Sequence, residues 1–153
     1  MVFWKALDEC FGFWNGFRQH TMNVFLSHSH ADKKWADALR TGLLEAGFQV
    51  WNPVDDMGAG INWHLEIGKA LERSDAMIVL LSPDSVSSPS VRSEIEYALS
   101  GSQFRGRLIP VLLKPTAEVP WILQKQPFIR VTKDVNETVR HVASALRKAE
   151  AAA

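Results

Sequence analysis

Four short runs of almost uninterrupted apolar residues, spaced by stretches of helical periodicity, constrain this chain more than any other feature. They are Asn23–Ser27, Phe48–Trp51, Ala76–Leu81 and Leu108–Leu113, and Phe128–Val131 makes a weaker fifth. Residues that are apolar without alternation need cover on both faces, which is the situation of strands in a parallel sheet. The intervening periods fit that arrangement. Trp35, Leu39 and Leu43 form one stripe, with Asp32 placed to cap its start and Gly47 to end it. Trp63, Ile67, Ala70 and Leu71 form a second behind Asn62 as a cap, and Val91, Ile95, Ala98 and Leu99 a third behind Ser88-Pro89. Val135, Val139, Val142 and Leu146 mark a terminal helix, whereas Lys114–Gln126, with Pro115 and Pro120, reads as loop.

Alternating strand and helix predict right-handed crossovers and a doubly wound α/β domain, a five-stranded parallel sheet with helices on both faces. Ligands of such sheets bind beyond the carboxyl ends of the strands, where strand order reverses. The loops to inspect are therefore Ser27–Asp32, Asn52–Ile61, Ser82–Ser88 and Lys114–Trp121.

Composition narrows the function. Lys plus Arg equals Asp plus Glu at 17 each, so the basic excess of a nucleic-acid binder is missing. Cys10 is the only cysteine, which leaves no internal disulfide and no sign of an oxidising compartment. Lys5, Asp8 and Glu9 interrupt the apolar N-terminus, which argues against a secretory signal or a spanning helix and for a cytoplasmic location.

The loop after the first run is Ser27-His28-Ser29-His30-Ala31-Asp32, without the glycines of a dinucleotide fingerprint or the lysine of a phosphate loop. His28, His30 and Asp32 have the spacing of a zinc-binding stretch in the metallo-β-lactamase superfamily. Lys33 stands where that family has a further histidine, and His64 and His141 fall inside helical periods, so no metal is expected and Asp32 is read as a helix cap. Glu94 lies roughly 85° from the centre of its helix stripe at 3.6 residues per turn, on the border of the buried face. By geometry alone that is the place of a solvated edge residue, and no second carboxylate stands ready to pair with it.

The run Val24–Trp35 followed by Gly47-Phe48-Gln49-Val50-Trp51 resembles the opening of a TIR (Toll/interleukin-1 receptor) domain of the bacterial stand-alone type. Asp55–Trp63 resembles that family's BB loop. Ala70–Ala76, Val79–Pro83, Val91–Ile95, Ile109-Pro110-Val111 and Val119-Pro120-Trp121 continue the likeness in order. The resemblance implies a flavodoxin-like sheet over residues 22–149, with a short tail at 150–153. It also implies cleavage of NAD⁺ at the nicotinamide–ribose bond, giving nicotinamide and ADP-ribose or a cyclic isomer, with NAD⁺ as substrate and no cofactor. Glu94 falls on the family's catalytic glutamate. Phe25, Ser27, His28 and Ser29 would line the cleft, Ser82 its floor, and Gly60 would let the BB loop approach the ligand. Self-association through TIR–TIR contacts, a role in antiphage signalling and an effector that senses the product belong to the same expectation. The alternative is a non-enzymatic adaptor module. Ser90 replaces a bulky aromatic of the family pattern, Pro53 an acidic residue, and Ala59 and Ile61 the usual proline and aspartate.

Residues 1–21 lie outside the likeness and are rich in Phe and Trp. Phe3, Leu7, Phe11 and Trp14 share one helical face, so the extension is read as an amphipathic helix. It either packs on its own domain, precedes a start at Met22, or serves self-association or a membrane surface.

Overall fold

The computed structural model describes residues 21–53 and 62–152, so the N-terminal extension and the loop holding Gly60 lie outside the described residues. Five strands form one sheet: β1 (Asn23–Ser27), β2 (Gln49–Trp51), β3 (Ala76–Leu81), β4 (Leu108–Leu112) and β5 (Ile129–Arg130). Their order is β2-β1-β3-β4-β5 and every pairing is parallel. The helices are α1 (Lys33–Glu45), α2 (Trp63–Arg73), α3 (Pro83–Ser87), α4 (Pro89–Ser100) and α5 (Val135–Ala151).

The pleat sorts the core into two layers. Val24, Leu26, Ile78, Leu80, Ile109 and Val111 face Leu39 and Leu43 of α1 and Val142 and Leu146 of α5. Phe25, Met77, Val79 and Leu81 face Ala70 and Leu71 of α2 and Val91, Ile95 and Ala98 of α4. With all six residues of β3 buried, the unbroken apolar run is explained by cover on both sides.

Several local expectations hold. Asn62 accepts the Leu65 N–H at 3.3 Å and Ser88 the Val91 N–H at 3.4 Å, each relieving an orphan donor of the first turn. Gly47 has φ +97°, the left-handed conformation that stops α1. Pro110 sits inside β4 without breaking it. Leu113 N donates to β3 at Leu81 O and Val131 N donates to Leu112 O, so alternate β4 residues serve opposite neighbours. Pro110 is on the β5 side, where pairing starts only at Val111 and Leu112.

Two local expectations are corrected. Ser82–Ser88 is not open loop: Ser82 and Ser85 form a reciprocal capping box that starts α3. Asp32 stands at the N-cap of α1, but its side chain makes no cap hydrogen bond. A 3-10 turn at His30–Asp32 supplies Asp32 N–H and Lys33 N–H with Ser29 O and His30 O instead, freeing the carboxylate for other partners. Among the described residues no helix is long and apolar enough to cross a membrane.

Candidate functional site

Strand order reverses between β1 and β3, which lie side by side while their successors β2 and β4 lie outside them. Chain leaving the carboxyl ends of both strands therefore diverges and opens a crevice there. Ser27 and His28 come from the β1 end, Ser82 from the β3 end, and Glu94 from the second turn of α4.

Glu94 is 5% exposed, not at a solvated border. Ser27 lies on the same side of β1 as Phe25, the α2/α4 side, and its hydroxyl donates a short hydrogen bond to Glu94 Oε2. Burial pushes the Glu94 carboxyl up from 4.5 to about 7, and the Ser27 donor, which favours the charged form, offsets part of that rise. The group can therefore ionise or stay neutral near physiological pH, a condition met more often at working sites than on scaffolding.

A second network ties the surrounding loops together. His28 Nδ1 donates to Ser29 O at 2.6 Å, since a carbonyl only accepts, and Nε2 lies 2.9 Å from the Asn52 side-chain oxygen beyond β2. Ser29 Oγ donates to Asp32 Oδ2 at 2.7 Å, and Ser82 Oγ donates to the same oxygen. Asp32 is 4% exposed, so this carboxylate is a buried clamp between the β1 loop and the cap of α3. Among the described residues no group of three or more His, Cys, Asp or Glu is placed to hold a metal.

Glu94 also lines a cleft of about 290 Å³ between two helix faces. Ile67, Gly68 and Leu71 form the α2 wall. Ser90, Ser93, Glu94 and Tyr97 form the α4 wall, and the exposed His64 lies at its edge. The site can thus stabilise positive charge with a desolvated carboxylate beside a small cavity.

The residues singled out from sequence divide by position. Glu94 and Ser27 touch. His28 and Ser29 are buried in the adjoining loop and joined to one another. Ser82 is fully buried, with its hydroxyl given to Asp32 and its oxygen to Ser85 N–H, so it braces the loops from below. Phe25 is also fully buried and packs 5.3 Å from the Trp51 ring, beneath the loops. Gly60 is outside the described residues. Asn52, Gly68 and Tyr97 were not foreseen. A polar Asn52 directly ahead of Pro53 at a strand end was a usable signal, whereas nothing local marked the other two.

Comparisons with known proteins agree with this architecture. The family profile described as "TIR domain" matches residues 24–149. The TIR domain of the Toll-related Receptor TRR-2 of Hydra magnipapillata is 25% identical, with a TM-score of 0.66 over 83% of this chain and 97% of that one. A metazoan TIR-STING receptor from C. gigas, solved in complex with 2′,3′-cGAMP, is 22% identical with a TM-score of 0.67; the match spans 80% of this chain and 38% of the receptor. The TIR domains of the activated Roq1 resistosome are 21% identical with a TM-score of 0.55, over 87% of this chain and 86% of that one. No curated protein matches the chain. With a profile match across most of its length and the sheet order and strand-end crevice described above, the chain belongs to the TIR domain family.

Proposed function

We propose that the protein is an NAD⁺ glycohydrolase or cyclase that breaks the nicotinamide–ribose bond, with Glu94 as its catalytic carboxylate. The observation that carries this reading is a buried carboxylate, held near a pKa of 7, facing a cleft at the strand-order reversal. Nicotinamide departs with the bonding electron pair as a neutral molecule, so no strong general acid is required. Positive charge develops on the ribose, and a desolvated, fixed carboxylate stabilises it far better than water-exposed charge would. Ser27 holds one carboxylate oxygen in place. Addition of water with loss of a proton gives ADP-ribose, and attack by the substrate's own base gives a cyclic isomer. His28 and Ser29 shape the loop over the sugar, Ser82 and Phe25 support that loop from beneath, and Gly60 would approach the ligand from the neighbouring loop.

The substrate itself completes the ionisation. A cationic nicotinamide ring beside Glu94 favours the carboxylate form and draws its pKa down. By the family resemblance the protein works as an assembly in the cytoplasm, so specific activity rises with protein concentration, and its nucleotide product signals to an effector in antiphage defence. Incubation with NAD⁺ at high protein concentration, with Glu94→Ala beside the parent, tests the reading. Nicotinamide released by the parent and not by the variant supports it; equal release from both removes Glu94 from the mechanism.

One observation favours a second reading, a non-enzymatic interaction module. Trp63 is 55% and Leu65 53% exposed on the first turns of α2, a place where apolar surface suits a protein partner. Stable self-association with no nicotinamide release under any assembling condition would select it.

A further inference from the structure

Cover on both faces accounts for β3, but one corner of the sheet lacks it. All six residues of β3 are buried, whereas β2 begins with an exposed Gln49 and ends with a half-buried Trp51. Gln49 and its register partner Asn23, also exposed, lie on the α2/α4 side with Trp51 and Phe25, because side chains alternate along a strand. These amino ends of β1 and β2 open on a pocket of about 340 Å³ beside the last turn of α2. Trp51 and Ala70 give it apolar walls, and Asn23, Gln49, Arg73 and Ser74 make the polar part of its lining.

We propose that this pocket is the seat of the chain's own N-terminal extension, residues 1–20, whose Trp14 and Phe17 enter it. The point of attachment comes first. Gln49 N–H donates to Met22 O at 3.0 Å, so the pairing of β1 with β2 runs on to Met22, and the extension joins the domain where Asn23 walls the pocket. Composition comes second. The first 17 residues carry six Phe and Trp, an apolar surface that gains by leaving water. Reach is the third argument. Phe17 precedes Met22 by five residues, roughly 16 Å of extended chain, and Trp14 by eight, roughly 12 Å of helix. Charge agrees as well, because the exposed Arg73 complements Asp8 and Glu9 of the extension. A second copy is the weaker occupant. The pocket takes an aromatic side chain or two rather than the roughly 800 Å² per partner of a stable interface, and a tethered segment acts at millimolar effective concentration. Filled, the pocket backs the Trp51 ring, which packs 5.3 Å from Phe25.

The test uses the full chain and its single cysteine, Cys10, which lies within the extension and takes a nitroxide spin label without any substitution. In amide NMR spectra the label is expected to remove most of the signal of Asn23, Gln49, Arg73 and Ser74. Val139 and Ser144 of α5, across the sheet, keep theirs. A mixture of labelled chain with isotope-enriched Cys10→Ser chain shows no such loss, since the contact is within one molecule. Trp14→Ser with Phe17→Ser restores the pocket signals and lowers the melting temperature by about 4 °C or more, the scale of one lost apolar contact in a domain of this size. Gln49→Glu, a change at an exposed side chain, sets a charge at the pocket and restores the same signals with the extension intact. Signal loss that maps elsewhere, or pocket signals unmoved by either variant, overturns the proposal. Loss carried between chains in the mixture gives the pocket to a second copy and overturns it too, as does transfer of the label to phosphatidylglycerol vesicles with the pocket signals restored. None of these readouts depends on turnover of NAD⁺.

Discussion

Glu94 destabilises the fold in order to occupy its place. Its folded pKa of about 7 exceeds the ordinary 4.5, so the native state holds its proton more tightly than the unfolded chain. Stability from this group is therefore present at acid pH and declines as pH rises from the lower value through the higher, by on the order of 3 kcal/mol in total. Glu94→Gln, which never ionises, is expected to melt higher than the parent at pH 8 and almost level with it near pH 4, as calorimetry at the two pH values would show. The proposed activity would run the other way, because the ionised form is the one that would stabilise a cationic transition state. The proposed kcat/KM for NAD⁺ rises through pH 7, and kcat levels off at lower pH because the bound cation favours the carboxylate. Ser27→Ala removes the donor that lowers the Glu94 pKa, so the acid limb of the kcat/KM profile moves to higher pH. The position of Glu94 on its helix was legible from periodicity, but its burial was not. The groups that enclose it come from β1 and α2, and no wheel drawn for one helix contains them.

Among the elements, the uninterrupted apolar runs were readable because each strand satisfies the same condition, burial on two faces, and the caps at Asn62 and Ser88 because their bonds are local. Asp32 was misread for the opposite reason. A cap residue was foreseen from its neighbours in sequence, whereas its carboxylate is claimed by Ser82, fifty residues away. Replacing it with alanine leaves two buried hydroxyls, those of Ser29 and Ser82, without their acceptor. Asp32→Ala should cost on the order of 3 kcal/mol, since each unsatisfied buried group costs about 1–3 kcal/mol, and urea unfolding would measure it. Gly42 and Gly68 give a paired prediction at the same scale. Gly42→Ala forces Val139 aside and should lower stability by about 2 kcal/mol, an ordinary figure for overpacking. Gly68→Ala should leave the urea midpoint unchanged or raise it. A shared loss would mean that packing constrains both glycines, against the open space beside Gly68.

For the whole molecule, the 2-1-3-4-5 strand order brings three segments distant in sequence to one crevice: the β1 loop, the end of β2 through Asn52, and the face of α4 that carries Glu94. Alternation of strand and helix predicted the sheet and the end of it to inspect, but not which loop residues would meet, because that depends on side-chain bonds across loops. The central claim is simple to test, since Glu94 lies on α4 and meets the sheet through the side chain of Ser27 rather than through a strand pairing. The direct measurement is nicotinamide release from NAD⁺ across a range of protein concentrations, for the parent and for Glu94→Gln. Loss of one preorganised charge-stabilising group typically slows an enzyme about 10²–10³-fold. The account predicts release that rises more than linearly with parent concentration and falls by at least that factor in a folded Glu94→Gln protein. Release that is equal in the two proteins, or absent from an assembled parent, would contradict it.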